Sequence, residues 1–339
     1  MIVRKYISVR SLLAFAGHHI WWLVTYMTLV AVCYKTFDWH WISIPWLPVS
    51  LIGTAVAFYV GFKNNQAYDR IWEARKIWGG IVNSSRSWGN LVDSYIQNSQ
   101  LTPDEIKHIK KRLIYRHIAW LYTFREQLLI PTAWEHISLG KIHRKFARQR
   151  IDRQGVGQFK DYLNQEQTSK YFAEIQKWEA APNQATYITH LQSQLLASLE
   201  KNETLNIFRQ IEMQKILTEF NDHQGKAERI KKFPLPRQYA NLSFVFNCIF
   251  IFLLPLGIVG EFAKIGESGV WLMIPFGVIV GWIYVVMELI GDYSENPFEG
   301  FATDIPMLSI CRTIEIDLLK MLGETNLPQP IQPVNEVLM

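Results

Sequence analysis

The chain has 339 residues, of which 49% are apolar, 14% are aromatic and only 19% carry a charge; this composition excludes a disordered or low-complexity protein. The lysines and arginines are unevenly distributed. The first 40 residues contain four of them, the segment after residue 239 contains three, and all the others of the 35 lie between residues 63 and 237. A charged middle between two nearly uncharged ends indicates that the ends are membrane segments.

Four apolar stretches have the length of membrane spans. In chain order they cover residues 12–34, 41–62, 241–262 and 270–290. Each approaches the roughly 20 residues that a helix needs to cross a hydrocarbon layer of about 30 Å. Buried core helices are the alternative, but such helices usually keep a polar stripe. The first stretch follows a basic segment, as in a signal peptide, yet it is too long for a signal core and is interpreted as an uncleaved span.

The predicted orientation follows from the loops between the spans. The short loops 35–40 and 263–269 contain one lysine each, whereas the N-terminus and the middle are basic. By the positive-inside rule, both termini and the middle are expected on the cytoplasmic side of a plasma membrane. The predicted domains are 1–62 with two spans, a helical cytosolic domain 63–239, 240–293 with two spans, and a cytosolic C-terminal segment 294–339.

The middle of the chain is predicted to be all-α. Helical periodicity, with apolar residues at three- and four-residue steps, is found over residues 69–95, 102–129, 165–178, 184–200 and 204–220. Thr102 followed by Pro103 is a typical helix start. Residues 141–153 are strongly basic; we favour a solvated face under the inner leaflet, and a contact with lipid headgroups is the alternative.

Patterns of catalytic and metal-binding residues are absent from the sequence. There is no phosphate-binding loop, dinucleotide fingerprint or H-E-x-x-H motif, and the three cysteines have no paired spacing. His136 and His143 would share a helical face, but they have no third ligand. Glu288, near the end of the fourth span, is expected to meet water or a basic partner rather than to relay protons. We therefore expect no enzyme activity, no cofactor and no nucleic-acid partner.

The second predicted span carries two rows of residues spaced four apart. One row of small residues would allow close packing on neighbouring copies and consists of Gly53, Ala57 and Gly61. The other row is rotated by about 100° and consists of Thr54, Phe58 and Phe62. In a ring of subunits the second row would form stacked collars around a pore, and hydrophobic collars gate by dewetting. The alternative is that the phenylalanines face lipid or a core.

The string that follows the second span contains the motif residues Asn64, Asn65, Tyr68, Asp69, Arg70, Trp72, Glu73 and Arg75. In this string the sequence resembles the bestrophin family, in particular its bacterial branch. Further matches are Pro236 with Tyr239 and, after the fourth span, Glu295 followed by Asn296, Pro297 and Phe298. The order of spans, middle and tail agrees, so the resemblance covers nearly the whole chain.

The resemblance implies a passive ion channel that is a homopentamer around one central pore, with four spans per subunit. It places the pore neck at Thr54, Phe58 and Phe62. Relatives usually have an aliphatic residue at the first of these positions, so Thr54 is expected to make the neck wetter. The resemblance also places a cytosolic aperture at Phe208, with Ile207 as the fallback. The implied partners are four identical subunits, membrane lipids and permeant ions.

Eukaryotic bestrophins are opened by calcium, which binds after the Asn-Pro-Phe motif and to N-terminal backbone. In this chain Glu299 and Asp304 are the acidic residues of that stretch. Because calcium prefers six to eight oxygen ligands, no calcium clasp is expected.

The sequence leaves the permeant ion open. Phenylalanine edges carry partial positive charge, and the formal net charge is +5 per chain, which together favour chloride over sodium. A monovalent cation channel on the same fold is the alternative. A secondary transporter and a membrane-anchored scaffold are the rival classes; four spans without internal repeats argue against the transporter.

Overall fold

The computed structural model describes residues 1–4, 6, 9–98, 100–153, 170–172, 181–266 and 268–339. Within these residues the structure is helical, with isolated antiparallel bridges that pair Ile2 and Val334 with Val337. The longer helices are α1 Val9–Ala16, α2 His18–Thr36, α3 Trp46–Tyr95, α4 Pro103–Leu129, α5 Lys141–Arg153, α6 Gln184–Lys201, α7 Ile207–Lys232, α8 Arg237–Ala263, α9 Gly269–Asp292 and α10 Met307–Met321.

The chain divides into two compact units. The apolar unit comprises Arg4–Arg70 and Pro234–Glu295, and it contains α1, α2, the first half of α3, α8 and α9. The charged unit comprises Met1–Val3, Ile71–Phe233 and Asn296–Met339. Helix α3 contributes residues to both units. The domain boundaries predicted at residues 62, 239 and 293 stay predictions.

Helix α3 differs from the sequence-based expectation in where it begins and in its continuity. The second span was expected to begin at residue 41, but His40–Ile42 form a single 3-10 turn and α3 begins at Trp46. The segments 41–62 and 69–95 were expected as separate helices, whereas α3 is one helix of 50 residues. The join is continuous because the residues between these segments include neither glycine nor proline, so nothing in the local sequence ends the helix.

The first predicted span, residues 12–34, is broken near its start. Helix α1 ends at Ala16 and α2 begins at His18, so the expectation of one uninterrupted helix there is wrong. At the break, the Gly17 N–H donates to the Leu13 carbonyl oxygen at 2.7 Å. A Cβ at Gly17 would lie 2.4 Å from that oxygen, so only glycine allows this approach of the backbone.

Three helical stretches are long and apolar enough to cross a membrane among the described residues: His40–Tyr95, Arg237–Ala263 and Gly269–Asp292. They correspond to the second, third and fourth predicted spans. Helix α2, which contains most of the first predicted span, is outside this set; it begins with two polar histidines and is 19 residues long. A count of four spans therefore stays a prediction.

Small residues bring the helices of the apolar unit close together. A Cβ at Gly277 of α9 would lie 2.8 Å from the Met27 sulfur, and one at Gly281 would lie 3.0 Å from Leu23, both on α2. A Cβ at Gly257 of α8 would similarly lie 2.9 Å from Val49 on α3. Such close approach is how helices associate where lipid supplies no hydrophobic driving force between them.

The charged unit has an aromatic core in which His117 is completely buried. The His117 ring stacks on Trp120 with ring centroids 5.4 Å apart, and its Nε2 lies 2.9 Å from the Ser85 hydroxyl. Burial lowers the pKa of His117 to about 3, because a charged imidazole would lose its water.

The predicted helix boundaries of the charged unit are mostly confirmed. Thr102 forms a capping box, in which its hydroxyl accepts from the Glu105 N–H at 3.3 Å and its own N–H donates to the Glu105 carboxylate at 2.8 Å. Helix α6 begins after Asn183, near the expected residue 184. The predicted helix 204–220 begins at Ile207 and continues to Lys232. The predicted helix 165–178 lies outside the described residues, apart from 170–172, which are helical.

Candidate functional site

Within the apolar unit, α3 has one buried and one exposed face. The buried residues recur every three or four positions, at Val49, Gly53, Val56, Val60, Lys63 and Ala67. The residues on the opposite side are Leu51, Thr54, Phe58, Phe62, Asn65 and Asp69, all of them exposed. We call this second set the exposed α3 face. The two sets lie opposite each other because a helix turns by about 100° per residue.

The three residues predicted to form a pore neck all lie on the exposed α3 face. Phe58 and Phe62 are each 67% exposed, which is unusual for phenylalanine in a folded chain. The Thr54 hydroxyl donates to the Ser50 carbonyl oxygen at 2.9 Å, so its proton is used within the helix. The structure thus brings these residues onto one side of one helix, and the neck itself stays a prediction.

The row of small residues on α3, Gly53, Ala57 and Gly61, packs against its own chain at Gly53. A Cβ at Gly53 would lie 2.6 Å from the Phe250 ring, and the Tyr284 hydroxyl donates to the Gly53 carbonyl oxygen at 2.9 Å. Gly53 therefore packs on α8 and α9 of its own chain, whereas packing on neighbouring copies was expected. Ala57 is half-buried, and a Cβ at Gly61 would have no other atom within 4 Å.

A buried ion pair fixes α3 next to the predicted neck. The Lys63 ammonium lies 2.5 Å from the Glu288 carboxylate of α9, and the Ser243 hydroxyl of α8 donates to the other carboxylate oxygen at 2.6 Å. All three residues are buried. Glu288 was expected to meet water or a basic partner, and Lys63 is that partner. Sequence reasoning missed Lys63 itself, although a lone lysine beside an apolar span is a signal for such pairing.

The family string makes further contacts near the middle of α3, just after the predicted second span. The Asn64 amide donates to the Met287 carbonyl oxygen at 3.1 Å, and the Arg70 guanidinium donates to the Glu295 carbonyl oxygen at 2.7 Å. The buried Glu295 carboxylate also accepts from Arg237 at 3.3 Å. The string therefore holds α3 to α9 and to Glu295 just after it. Sequence reasoning gave no specific role to Arg237.

Other residues of the string are exposed. Asn65, Tyr68 and Asp69 are exposed in the apolar unit. In the charged unit, Trp72 is 52% exposed and Arg75 is exposed.

Glu73 is the member of the string that joins two helices within the charged unit. Its carboxylate lies 2.7 Å from the Arg229 guanidinium of α7. This pair is partly exposed to solvent, so it is expected to contribute little to stability.

The Asn296–Pro297–Phe298 motif is buried in the charged unit and begins a tight turn. The Asn296 amide donates to the Glu299 carboxylate at 2.7 Å, and the His136 backbone N–H donates to the same carboxylate at 3.2 Å. The His136 ring nitrogen Nδ1 lies 3.0 Å from it as well. Glu299, one of the two weak calcium candidates, is thus surrounded by nitrogen groups of its own chain.

Asp304, the other calcium candidate, closes the same turn. Its carboxylate accepts from the backbone N–H groups of Gly300 at 2.8 Å and Phe301 at 3.0 Å, and Gly300 adopts a positive φ of 87°. Burial, with a smaller contribution from the negative Glu299, raises the pKa of Asp304 to about 7. Among the described residues no cluster of three acidic, histidine or cysteine side chains has the geometry of a metal site.

A second buried ion pair, missed by sequence reasoning, lies beside this turn. The Lys231 ammonium contacts the Glu135 carboxylate at 2.5 Å and the Phe298 carbonyl oxygen at 3.4 Å. Burial raises the pKa of Glu135. His143, considered with His136 as a possible ligand, has a side chain outside the described residues.

The predicted cytosolic aperture residues lie in the first turn of α7. Phe208 is 75% exposed and Ile207 is 45% exposed. The Asn206 side chain caps this turn by accepting from the Phe208 N–H at 2.9 Å, which fixes where the helix begins. The aperture stays a prediction.

The basic segment 141–153 forms helix α5. Lys141, Arg144, Lys145 and Arg148 are exposed and, with Gln149, line a concavity of about 270 Å³. This exposed cationic face is compatible with both interpretations of the segment, and the solvated face stays a prediction.

The sequence is similar to several bacterial membrane proteins. The chain is 26% identical over 287 residues to the voltage-dependent anion channel-forming protein YneE of Escherichia coli strain K12. The aligned region covers 84% of this chain and 80% of the relative. It is 24% identical over 341 residues to the voltage-dependent anion channel-forming protein RSc3414 of Ralstonia nicotianae, and this aligned region covers 96% of each chain.

The fold is similar to that of a solved structure, a bacterial bestrophin homologue from Klebsiella pneumoniae. The TM-score is 0.70 at 20% sequence identity, over 91% of this chain and 99% of that one. A family model described as "Bacterial/Fungal Bestrophin protein" matches residues 14–320. This match confirms the resemblance seen in the string after the second span, and the chain therefore belongs to the bacterial and fungal bestrophin family.

Proposed function

We propose that the chain is one subunit of an anion-permeable channel whose pore is lined by the exposed α3 face. The observation that carries the proposal is the row Thr54, Phe58 and Phe62, which is exposed although it lies on an apolar, span-length helix. Lipid alone would account for such a row, but the same face continues to the polar Asn65 and the charged Asp69. These residues directly follow the predicted span, so the face that carries the phenylalanines leads into water, as the face that lines a pore would.

The anion preference is supported by the relatives and by the chemistry of the row. Both relatives are named as voltage-dependent anion channel-forming proteins. Ring edges of Phe58 and Phe62 carry partial positive charge and favour an anion in a narrow collar. The formal charge of +5 per chain acts in the same direction.

The proposed assembly is a homopentamer in a bacterial plasma membrane, with four spans per subunit and both termini in the cytoplasm. In such a ring Phe58 and Phe62 form the hydrophobic neck, and Phe208 forms the cytosolic aperture. The hydrophobic collars close by dewetting and conduct when they widen. The Thr54 hydroxyl is hydrogen-bonded within its own helix. A collar of Thr54 side chains is therefore less polar than a collar of free hydroxyls would be.

Ion flux through the purified full-length protein tests the proposal. The protein is reconstituted in liposomes and planar bilayers, and the reversal potential is measured under a potassium chloride gradient. We expect current that reverses near the chloride equilibrium potential. Reversal near the potassium potential would establish the cation channel instead. Absence of current above that of protein-free membranes would overturn the channel proposal.

A further inference from the structure

We propose that Asp69 sets the strength of the ion preference by opposing anions below the neck. This inference rests on the proposed function, because it needs the exposed α3 face to line the pore. Asp69 belongs to that face and is exposed, as are Phe62 and Asn65 before it. It follows Phe62 by seven residues, which places it about 10 Å further along the helix and within about 20° of the same direction.

The other charged side chains between Leu51 and Arg70 are directed away from the exposed α3 face. Between Leu51 and Arg70, a stretch that the structure describes throughout, the charged residues are Lys63, Asp69 and Arg70. Lys63 is buried on the opposite face and pairs with Glu288. Arg70 is half-buried and donates to the Glu295 backbone. Asp69 is therefore the exposed charge of this stretch.

Symmetry multiplies the effect of this single charge. In a ring of identical subunits each copy contributes one carboxylate at the same depth, so the carboxylates form a ring of negative charge around the axis. Such a ring attracts cations, repels anions and so counteracts the preference of the phenylalanine collars. The net selectivity of the channel then results from two opposing effects on one helix face: the phenylalanine collars favour anions, and the ring of carboxylates favours cations.

Ionic strength gives the ring a measurable signature. The Debye length is about 30 Å at about 0.01 M salt and about 3 Å at 1 M, so the field of a ring about 10 Å from the neck reaches the neck at low salt and is screened at high salt. The anion preference of the wild-type channel should accordingly increase as salt is raised. A preference that arises from the shape of the collars alone would lack this dependence.

The test uses Asp69→Asn in the full-length protein, with reversal potentials measured under potassium chloride gradients at low salt and at about 1 M. We expect the chloride-to-potassium permeability ratio to rise about threefold or more at low salt and to change little at high salt. Asp69→Glu, which keeps the charge, should behave as wild type. Asp38→Asn, in the exposed loop before α3, is the control for loss of a carboxylate elsewhere.

The outcomes separate this inference from the proposed function. A conducting wild-type channel in which Asp69→Asn leaves the low-salt permeability ratio unchanged overturns the role of Asp69 and leaves the channel intact. An equal change in Asp38→Asn would also overturn it. No current from the wild-type protein overturns both proposals together.

Discussion

Phe58 and Phe62 expose most of their rings on one side of a helix that is otherwise well packed, and this exposure makes them suitable for substitution. Replacing both with alanine removes the bulk of the proposed collars without opening a cavity in the core of the subunit. We expect the double variant to raise the single-channel conductance, or the open probability at rest, by about tenfold. Bilayer recordings measure both quantities.

Phe244→Ala is the matched control for this substitution, because Phe244 is an exposed phenylalanine on α8 rather than on α3. It should leave conductance unchanged. Equal currents from the wild-type protein and from the variant lacking Phe58 and Phe62 would show that these rings face lipid.

Asp304 predicts a pH dependence of stability in the charged unit. Its folded pKa of about 7 lies above the ordinary 3.8, so the folded state binds a proton more tightly than the unfolded state between these values. Its contribution to the free energy of unfolding therefore increases as pH falls from about 7 to about 4, by at most roughly 4 kcal/mol. Buried Glu135 acts in the same direction, whereas His117, with its lowered pKa, acts in the opposite direction below pH 6.5.

The difference between wild type and Asp304→Asn isolates this residue from the others. The asparagine oxygen can still accept from Gly300 and Phe301, so the turn should persist. We expect the melting temperature of the variant to exceed that of wild type above about pH 7 and the advantage to vanish towards pH 4, near the unfolded pKa of Asp304. Asp222→Asn, an exposed site on α7, is the control. A constant difference at every pH would contradict the prediction.

The residues that sequence could identify are those whose neighbours lie on the same helix. The spacing of Thr54, Phe58 and Phe62 fixes that they share a face, and the capping box of Thr102 is a local pattern that the structure confirms. The partner of Lys63 could not be found in this way, because Glu288 is 225 residues away. Which of many distant acids a lysine meets depends on the packing of three helices.

Helix α3 is held in place by a buried ion pair, and breaking the pair from one side should be costly. Glu288→Gln leaves the Lys63 ammonium buried beside a neutral amide, which costs about 3–5 kcal/mol. We expect the melting temperature of the detergent-solubilised protein to fall by on the order of 10 °C. Differential scanning fluorimetry or loss of the assembled oligomer on heating measures the change.

Two further variants make this prediction specific. Glu261→Gln removes an exposed carboxylate that pairs with Lys264 on the surface, so the melting temperature should hardly change. The double variant Lys63→Met with Glu288→Gln removes both charges and should recover part of the loss, because no buried charge remains unpaired. A similar fall in Glu261→Gln and Glu288→Gln would contradict the structural role of the buried pair.

For the helices, the sequence predicts which segments are helical better than it predicts where one helix ends and the next begins. Periodicity identified the two parts of α3 but not their union, since the polar residues between the parts hide the helical pattern. The break at Gly17 was missed for the opposite reason: the apolar run continues across it. In both cases the backbone, not the hydrophobic pattern, decides where the helix ends.

For the whole molecule, the proposed homopentamer predicts the mass of the assembly. Native mass spectrometry of the full-length protein, released from mild detergent, should give five times the subunit mass of 39.6 kDa. Subunits exchanged between tagged and untagged pools before assembly should give complexes with up to five tags. A dominant monomer or dimer with channel activity would contradict the pentamer.

The all-helical class and the chain order of the apolar and charged regions were readable from composition and periodicity alone. The family followed from the string that contains Asn64 and Arg70, whose contacts to α9 and to Glu295 the structure now shows. The arrangement of Asp304, Glu299 and His136 was not predictable, because it joins a loop after α4 to a turn after α9. Such contacts are set by tertiary packing, which the local sequence does not reveal.

Phe62 and Lys63 are consecutive in the sequence and about 100° apart on α3, but Phe62 is exposed and Lys63 is buried. A single residue inserted between them would rotate everything before it by about 100° relative to the buried ammonium. The phenylalanines would then turn towards the side of α3 that packs on α8 and α9. Changes of length during evolution should therefore collect in the loops that flank α3, and its first half should keep a fixed number of residues.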